Sequence, residues 1–87
     1  MAWTLEFDSL ARRQLRKLPT TIGERIVASL EAVAETENPR LSGIAMAGRY
    51  AGHWRYRIGD YRAIVRIIDS QVIVRVIEIG HRREVYR

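Results

Sequence analysis

The chain has 87 residues, 47% of them apolar, and no cysteine, which fits one small domain and excludes disulfide frameworks, thiol nucleophiles and zinc–thiolate sites. The formal net charge of +5 falls entirely on residues 49–87, where nine arginines stand against four acidic residues, because residues 1–48 sum to zero. No apolar run approaches the roughly 20 residues that span a bilayer, and the first residues lack signal-peptide features, so we expect a cytoplasmic protein with no membrane partner.

The first part of the chain predicts one strand followed by two helices. Residues 2–7 alternate apolar and polar side chains, as a short strand does. A leucine stripe over residues 10–18 predicts a short amphipathic helix that Pro19 ends. Apolar residues at helical spacing over 22–34 predict a second helix, capped by Thr20 or Thr21 and ended before Pro39.

Three strands are predicted in the second part of the chain, after a glycine-containing loop over residues 40–53. They cover residues 53–58, 61–68 and 72–79, and Gly59-Asp60 forms a tight hairpin turn between the first two. The order β-α-α-β-β-β predicts an α+β fold. In this fold a helical hairpin packs on one face of a largely antiparallel four-stranded sheet.

Arginines alternate with apolar residues on the strands beside the hairpin turn. Arg55 and Arg57 lie on the strand face opposite to Trp54, Tyr56 and Ile58. Because two helices cover only one face of a sheet, the other face is expected to present a strip of guanidinium groups. Planar guanidinium forks bind phosphate through paired hydrogen bonds, which favours a polyanionic partner. The alternative is an ordinary solvated sheet face.

Two motifs carry a family resemblance. WRYRIGDYR over residues 54–62 and HRREVYR over residues 81–87, with β-branched strands between them, resemble the RelE/ParE superfamily of bacterial toxin–antitoxin systems, and the RelE branch most. The resemblance covers essentially the whole chain as one RelE-like domain over 1–87. It implies an mRNA interferase: a metal-independent endoribonuclease without a cofactor that cleaves mRNA in the ribosomal A site. The implied partners are a cognate antitoxin, mRNA and the ribosome.

The resemblance also implies roles for individual residues. Catalytic roles fall on Arg57, Arg62, His81, Arg82 and Tyr86. RNA-binding roles fall on Arg55, Tyr61 and Arg83. The tail's basic position is either Arg82 or Arg83, and Arg62 is the phosphate-binding arginine. No cluster has metal-ligand spacing, so no metal site is expected.

The chemistry implied by the resemblance is attack of a ribose 2′-hydroxyl on the adjacent phosphorus. It needs a base, an acid for the leaving 5′-oxygen and cations for the charged transition state. Some RelE members have lysine where this chain has Arg55 and Arg57, and arginine does not lose its proton in proteins. The base role therefore moves to His81, since histidine titrates near neutral pH, or the arginines act by electrostatics alone.

Two other functions remain open from the sequence. One is a ParE-like inhibitor of DNA gyrase that acts by binding, although that branch generally lacks the combined basic and tail set. The other is an inactive module that only binds RNA or its antitoxin.

Overall fold

The computed structural model describes residues 3–81, which form two helices and five strands. In chain order they are β1 (Thr4–Phe7), α1 (Ser9–Arg16), α2 (Thr20–Glu35), β2 (Ile44–Ala45), β3 (Trp54–Ile58), β4 (Tyr61–Ile68) and β5 (Ile73–His81). Short 3₁₀ turns occupy Pro39–Ser42, Gly48–Tyr50 and Asp69–Gln71. Within residues 3–81 no helix is long and apolar enough to cross a membrane.

The strands form a single sheet in the order β1-β5-β4-β3-β2. β1 pairs with β5 in parallel and the other neighbours are antiparallel, which confirms the predicted α+β class. The predicted strand count of four is wrong, because β2 adds a fifth strand at the edge beside β3. Since β2 is only two residues long, it has no apolar–polar alternation that the sequence could reveal.

The helices cover one face of the sheet and form the core with it. Ala11 of α1 and Ile26 and Leu30 of α2 are at most 1% exposed. They pack against the buried residues of the sheet, namely Tyr56, Ile58, Ala63, Val65, Val74, Val76 and Ile79. We call the opposite side of the sheet the open face.

The two helices are joined by a turn that ends in Pro19. Pro19 occupies the N-cap position of α2, and its carbonyl accepts hydrogen bonds from the backbone N–H groups of Ile22 and Gly23. Thr20 is already the first helical residue, so the predicted cap at Thr20 or Thr21 is wrong. Proline suits this position because its ring fixes φ near the helical value.

A β-bulge in β5 changes which residues reach the open face. Ile64 pairs with Glu78 while Val65 pairs with Val76, which leaves Ile77 as the extra residue. Strand residues alternate between the two faces of a sheet, and the extra residue Ile77 shifts this alternation by one position for the residues that follow it. Val76 therefore points into the core, and Glu78 lies on the open face beside Ile64.

The segment between α2 and β3 is fastened to the sheet by two contacts. The Tyr56 hydroxyl donates a hydrogen bond of 2.5 Å to the Pro39 carbonyl, and burial raises the pKa of Tyr56 to about 12. Arg40 donates two hydrogen bonds to the Asp69 carboxylate, at 2.6 and 3.0 Å, and its guanidinium lies 5.8 Å from the Trp54 ring centre. The hydrogen bonds from Arg40 lower the pKa of Asp69.

Candidate nucleic-acid interface

Two arginines stand directly across from each other at the hairpin end of the open face. Arg57 on β3 pairs with Arg62 on β4, and Arg62 pairs with Gly80 on β5. We call Arg57, Arg62 and Gly80 the arginine row. Because Gly80 has no side chain, the row consists of two guanidinium groups on β3 and β4 and of backbone alone on β5.

The hairpin turn sets the position of both arginines. Ile58 pairs with Tyr61, so the loop has two residues, and Gly59 has a φ of +60°, where glycine is favoured. Arg57 is exposed, and its Nε lies 3.5 Å from the Gly59 carbonyl oxygen. Arg62 is half-buried, and its Nη1 donates a 3.2 Å hydrogen bond to the Tyr61 carbonyl.

A second row crosses the open face beside the arginine row. It consists of Ile44, Arg55, Ile64 and Glu78, which pair in that order across β2, β3, β4 and β5. Arg66 lies farther along β4 and pairs with Arg75, which forms an ion pair of 3.0 Å with Glu6. The three arginines predicted from the sequence, Arg55, Arg57 and Arg62, therefore share the open face, as expected.

Tyr61 and His81 lie on the other face of the sheet. They pair across β4 and β5, and their rings meet edge to face with centroids 5.6 Å apart. Both line a cavity of about 470 Å³ on the helix side, together with Gln14, Lys17 and Leu18. β5 continues through residues 80 and 81, beyond the predicted end at 79, which fixes the His81 ring beside α1. The structure thus does not bring these two side chains into the arginine row, and their roles stay predictions.

Of the four predicted site residues in the C-terminal motif, His81 lies within the described residues and the other three do not. Arg82, Arg83 and Tyr86 lie outside residues 3–81, which the structure describes. Within the described range, no group of three His, Cys, Asp or Glu side chains is placed to hold a metal ion.

The sequence did not single out Tyr50 or Glu78. The Tyr50 hydroxyl donates a 2.8 Å hydrogen bond to Oε1 of Glu78, and the Arg49 guanidinium stands 5.2 Å from the Tyr50 ring centre. Strict alternation from Val74 and Val76 would have placed Glu78 in the core. A carboxylate at a core position was the available signal that β5 contains a bulge.

The comparison with known proteins identifies the family. Residues 5–86 match the model described as the ParE toxin of type II toxin–antitoxin system, parDE. The chain is also 33% identical over 87 residues to Toxin RelG of Mycobacterium tuberculosis, an alignment that covers 100% of this chain and 99% of RelG. This chain belongs to the RelE/ParE superfamily of type II toxins. The resemblance found in the sequence is confirmed.

Other members of the RelE/ParE superfamily are similar over nearly their whole length. The mRNA interferase toxin RelE of Escherichia coli is 35% identical over 89 residues, which cover 99% of this chain and 92% of RelE. A chain in the crystal structure of the toxin–antitoxin complex RelBE2 from Mycobacterium tuberculosis superposes with a TM-score of 0.86 at 29% identity, covering 97% of this chain and 95% of that one.

Proposed function

We propose that this toxin is an endoribonuclease that cleaves mRNA in the ribosomal A site and so stops translation. The relative from Escherichia coli is named an mRNA interferase, which supports an RNA substrate. The observation that carries the proposal is the arginine row. Like charges directly across a strand pair destabilise a sheet. Two arginines facing each other on the sheet face opposite the helices therefore favour a site whose ligand is a polyanion.

The reaction proceeds by attack of the ribose 2′-oxygen on the adjacent phosphorus. The bond to the 5′-oxygen breaks, a base takes the 2′-hydroxyl proton and an acid delivers a proton to the leaving oxygen. The products are a 2′,3′-cyclic phosphate and a 5′-hydroxyl end. Arg57 and Arg62 stabilise the negative charge on the phosphate oxygens in the transition state, and the reaction requires no metal ion.

The source of the acid and base is part of the proposal. Arginine remains protonated, so Arg55, Arg57 and Arg62 bind and stabilise but do not exchange protons. His81 is the titratable candidate within the described residues. Its ring faces α1 and not the arginine row, so the substitution His81→Gln tests it directly. Cleavage that persists in His81→Gln removes His81 from proton transfer, and a loss of cleavage with unchanged folding assigns it there. Tyr86 and Arg82 or Arg83 complete the proposed set.

The proposed partners are a cognate antitoxin, mRNA and the ribosome, and the proposed location is the cytoplasm, where translated mRNA is found. Relatives have been crystallised as toxin–antitoxin complexes. An acidic or apolar antitoxin segment would neutralise the open face and cover a sheet edge, which in this chain is β1 or β2.

The second candidate is ParE-like inhibition of DNA gyrase by binding, which is favoured by the name of the matching family model. Induction of the toxin in cells separates the two functions. We expect prompt translation arrest, with primer extension showing cut mRNA. Filamentation with intact mRNA would instead support gyrase inhibition, and the absence of both effects would indicate an inactive module.

The variant Arg62→Ala tests the site itself. Removal of one charge-stabilising donor is expected to lower mRNA cleavage on the order of 10²–10³-fold. Arg66→Ala is the matched control, because Arg66 lies on the same strand and the same face, four residues away from Arg62. Equal cleavage by both variants would rule out the arginine row as the active site.

A further inference from the structure

A carboxylate lies on the open face next to the arginine row. Glu78 belongs to the second row and is two residues before Gly80 on β5, so it is the diagonal neighbour of Arg62. Such diagonal positions are about 7–8 Å apart, within reach of long side chains. A phosphate bound at Arg62 would therefore place the base of an adjoining nucleotide within range of Glu78.

The carboxylate is held in a defined orientation. Tyr50 donates its hydroxyl hydrogen to Oε1 of Glu78 at 2.8 Å, and both side chains are half-buried. Ile64, directly across from Glu78, is fully buried although it lies on the open face. A fixed, partly desolvated carboxylate can discriminate between ligands better than a mobile one.

The charge of Glu78 works against simple binding of the RNA backbone. Affinity for a polyanion comes from cations, and a carboxylate near the phosphates lowers it. The other carboxylates recorded on this side, Glu6 and Asp8, lie at the opposite end of β5 and contact Arg75. Glu78 instead accepts its hydrogen bond from the Tyr50 hydroxyl, and a carboxylate has further acceptor positions.

We propose that Glu78, positioned by Tyr50, recognises the Watson–Crick edge of the RNA base next to the cleaved phosphate and favours a base with an exocyclic amino group over uracil. The inference rests on the proposed function and adds a specificity residue to the same site. A carboxylate only accepts hydrogen bonds, and adenine, cytosine and guanine each offer an amino donor. Uracil offers a single N–H between two carbonyl oxygens, which repel the carboxylate.

Cytosine and uracil provide a matched pair of probes, because they are pyrimidines that differ at one edge position in an amino group or a carbonyl. Reporter mRNAs that differ only by C or U around the cleavage position are compared by primer extension after induction. For the natural chain we expect cutting at one adjacent position to favour C over U on the order of 10-fold. In Glu78→Gln we expect this ratio to fall toward one, chiefly because cutting beside U increases as the repulsive charge is removed.

Two further variants distinguish recognition of the base by Glu78 from a general effect of charge or of folding. Glu31→Gln makes the same charge change on an exposed helical residue and should leave the C-to-U ratio unchanged. Tyr50→Phe keeps the carboxylate but removes its orienting hydrogen bond, so the ratio should fall while cutting beside C continues. An unchanged ratio in Glu78→Gln overturns the inference, and if that variant folds poorly, an unchanged ratio in Tyr50→Phe overturns it.

The proposed function and this inference fail differently. If the natural chain produces no cut mRNA, the proposed function fails and the inference falls with it. If the natural chain cuts sites with C and U equally well, the nuclease stands and the role of Glu78 is rejected.

Discussion

Arg57 faces a second arginine across the β3–β4 pair, and this arrangement has opposite consequences for stability and for function. For Arg57→Gln we expect the free energy of unfolding to stay equal or to increase by a few tenths of a kcal/mol, because a like-charge contact is removed. We expect mRNA cleavage to fall about 10²-fold, because a phosphate contact is lost. Thermal melts and primer extension measure the two effects.

Arg66→Gln provides the comparison for that variant. Arg66 also faces an arginine, Arg75, which forms an ion pair with Glu6. Its substitution should change cleavage little. If Arg57→Gln instead unfolded the protein, Arg57 would be a structural residue and not a ligand-binding one.

The raised pKa of Tyr56 should make the free energy of unfolding depend on alkaline pH. Burial raises its pKa to about 12 from the ordinary value of 10.0, so the neutral phenol stabilises the fold below pH 10 and this contribution is lost as the pH rises through about 12. Tyr56→Phe removes the hydrogen bond to Pro39 and should cost about 1 kcal/mol at pH 7. Denaturant unfolding between pH 7 and pH 12 should show a shallower alkaline decline in the variant, and parallel declines would contradict this assignment.

The ion pair between Arg40 and Asp69 joins two 3₁₀ turns, and it should make the stability of the fold depend on acidic pH. Arg40 lowers the pKa of Asp69 below 3.8, so the pair stabilises the fold above about pH 4 and the effect is lost as the pH falls through the lowered pKa. Asp69→Asn should have a lower melting temperature than the natural chain at pH 7. The two melting curves should converge as the pH falls through the lowered pKa of Asp69. A constant difference across this range would show that ionisation of Asp69 is not the cause.

The turn between β4 and β5 contains strain that can be removed. Val72 adopts the left-handed conformation with a φ of 55°, which is unfavourable for a β-branched residue, and it is 37% exposed. Val72→Asn should raise the free energy of unfolding by about 1 kcal/mol, since asparagine tolerates this conformation. Val72→Ala should gain less, because alanine retains a Cβ atom. Denaturant unfolding distinguishes the variants, and a loss of stability in Val72→Asn would contradict the strain.

The elements differ in how far the sequence could predict them. The β3–β4 hairpin was predicted because Gly59-Asp60 separates two alternating runs, and β4 has the predicted bounds. β2 could not be predicted because two residues carry no periodicity. The bulge at Ile77 could not be located either, and it determines that Glu78 reaches the open face and that His81 lies on the helix side. This shift of one residue is set by strand pairing. It places His81 on the helix side of the sheet, whereas the predicted arginines lie on the open face.

At the scale of the whole molecule, the two faces of the sheet serve different purposes. The helices bury one face and provide the core, while the charge excess of residues 49–87 appears on the other face as Arg55, Arg57, Arg62 and Arg66. The sequence could predict that one face is apolar and the other basic, because the alternation of side chains and the uneven charge of the chain both indicate it. The sequence could not predict which residues pair across the open face, because the pairing depends on the register of the strands.

The parallel pairing of β1 with β5 has a consequence for how the toxin is made. β1 is synthesised first but cannot pair until β5 has been synthesised. The contact between Glu6 and Arg75 accordingly spans 69 positions of the chain. Contacts of such long range form late in folding. Gly80 belongs to the same late strand, so closure of the sheet and completion of the arginine row are a single event. A chain still being synthesised therefore has neither a closed sheet nor a complete arginine row.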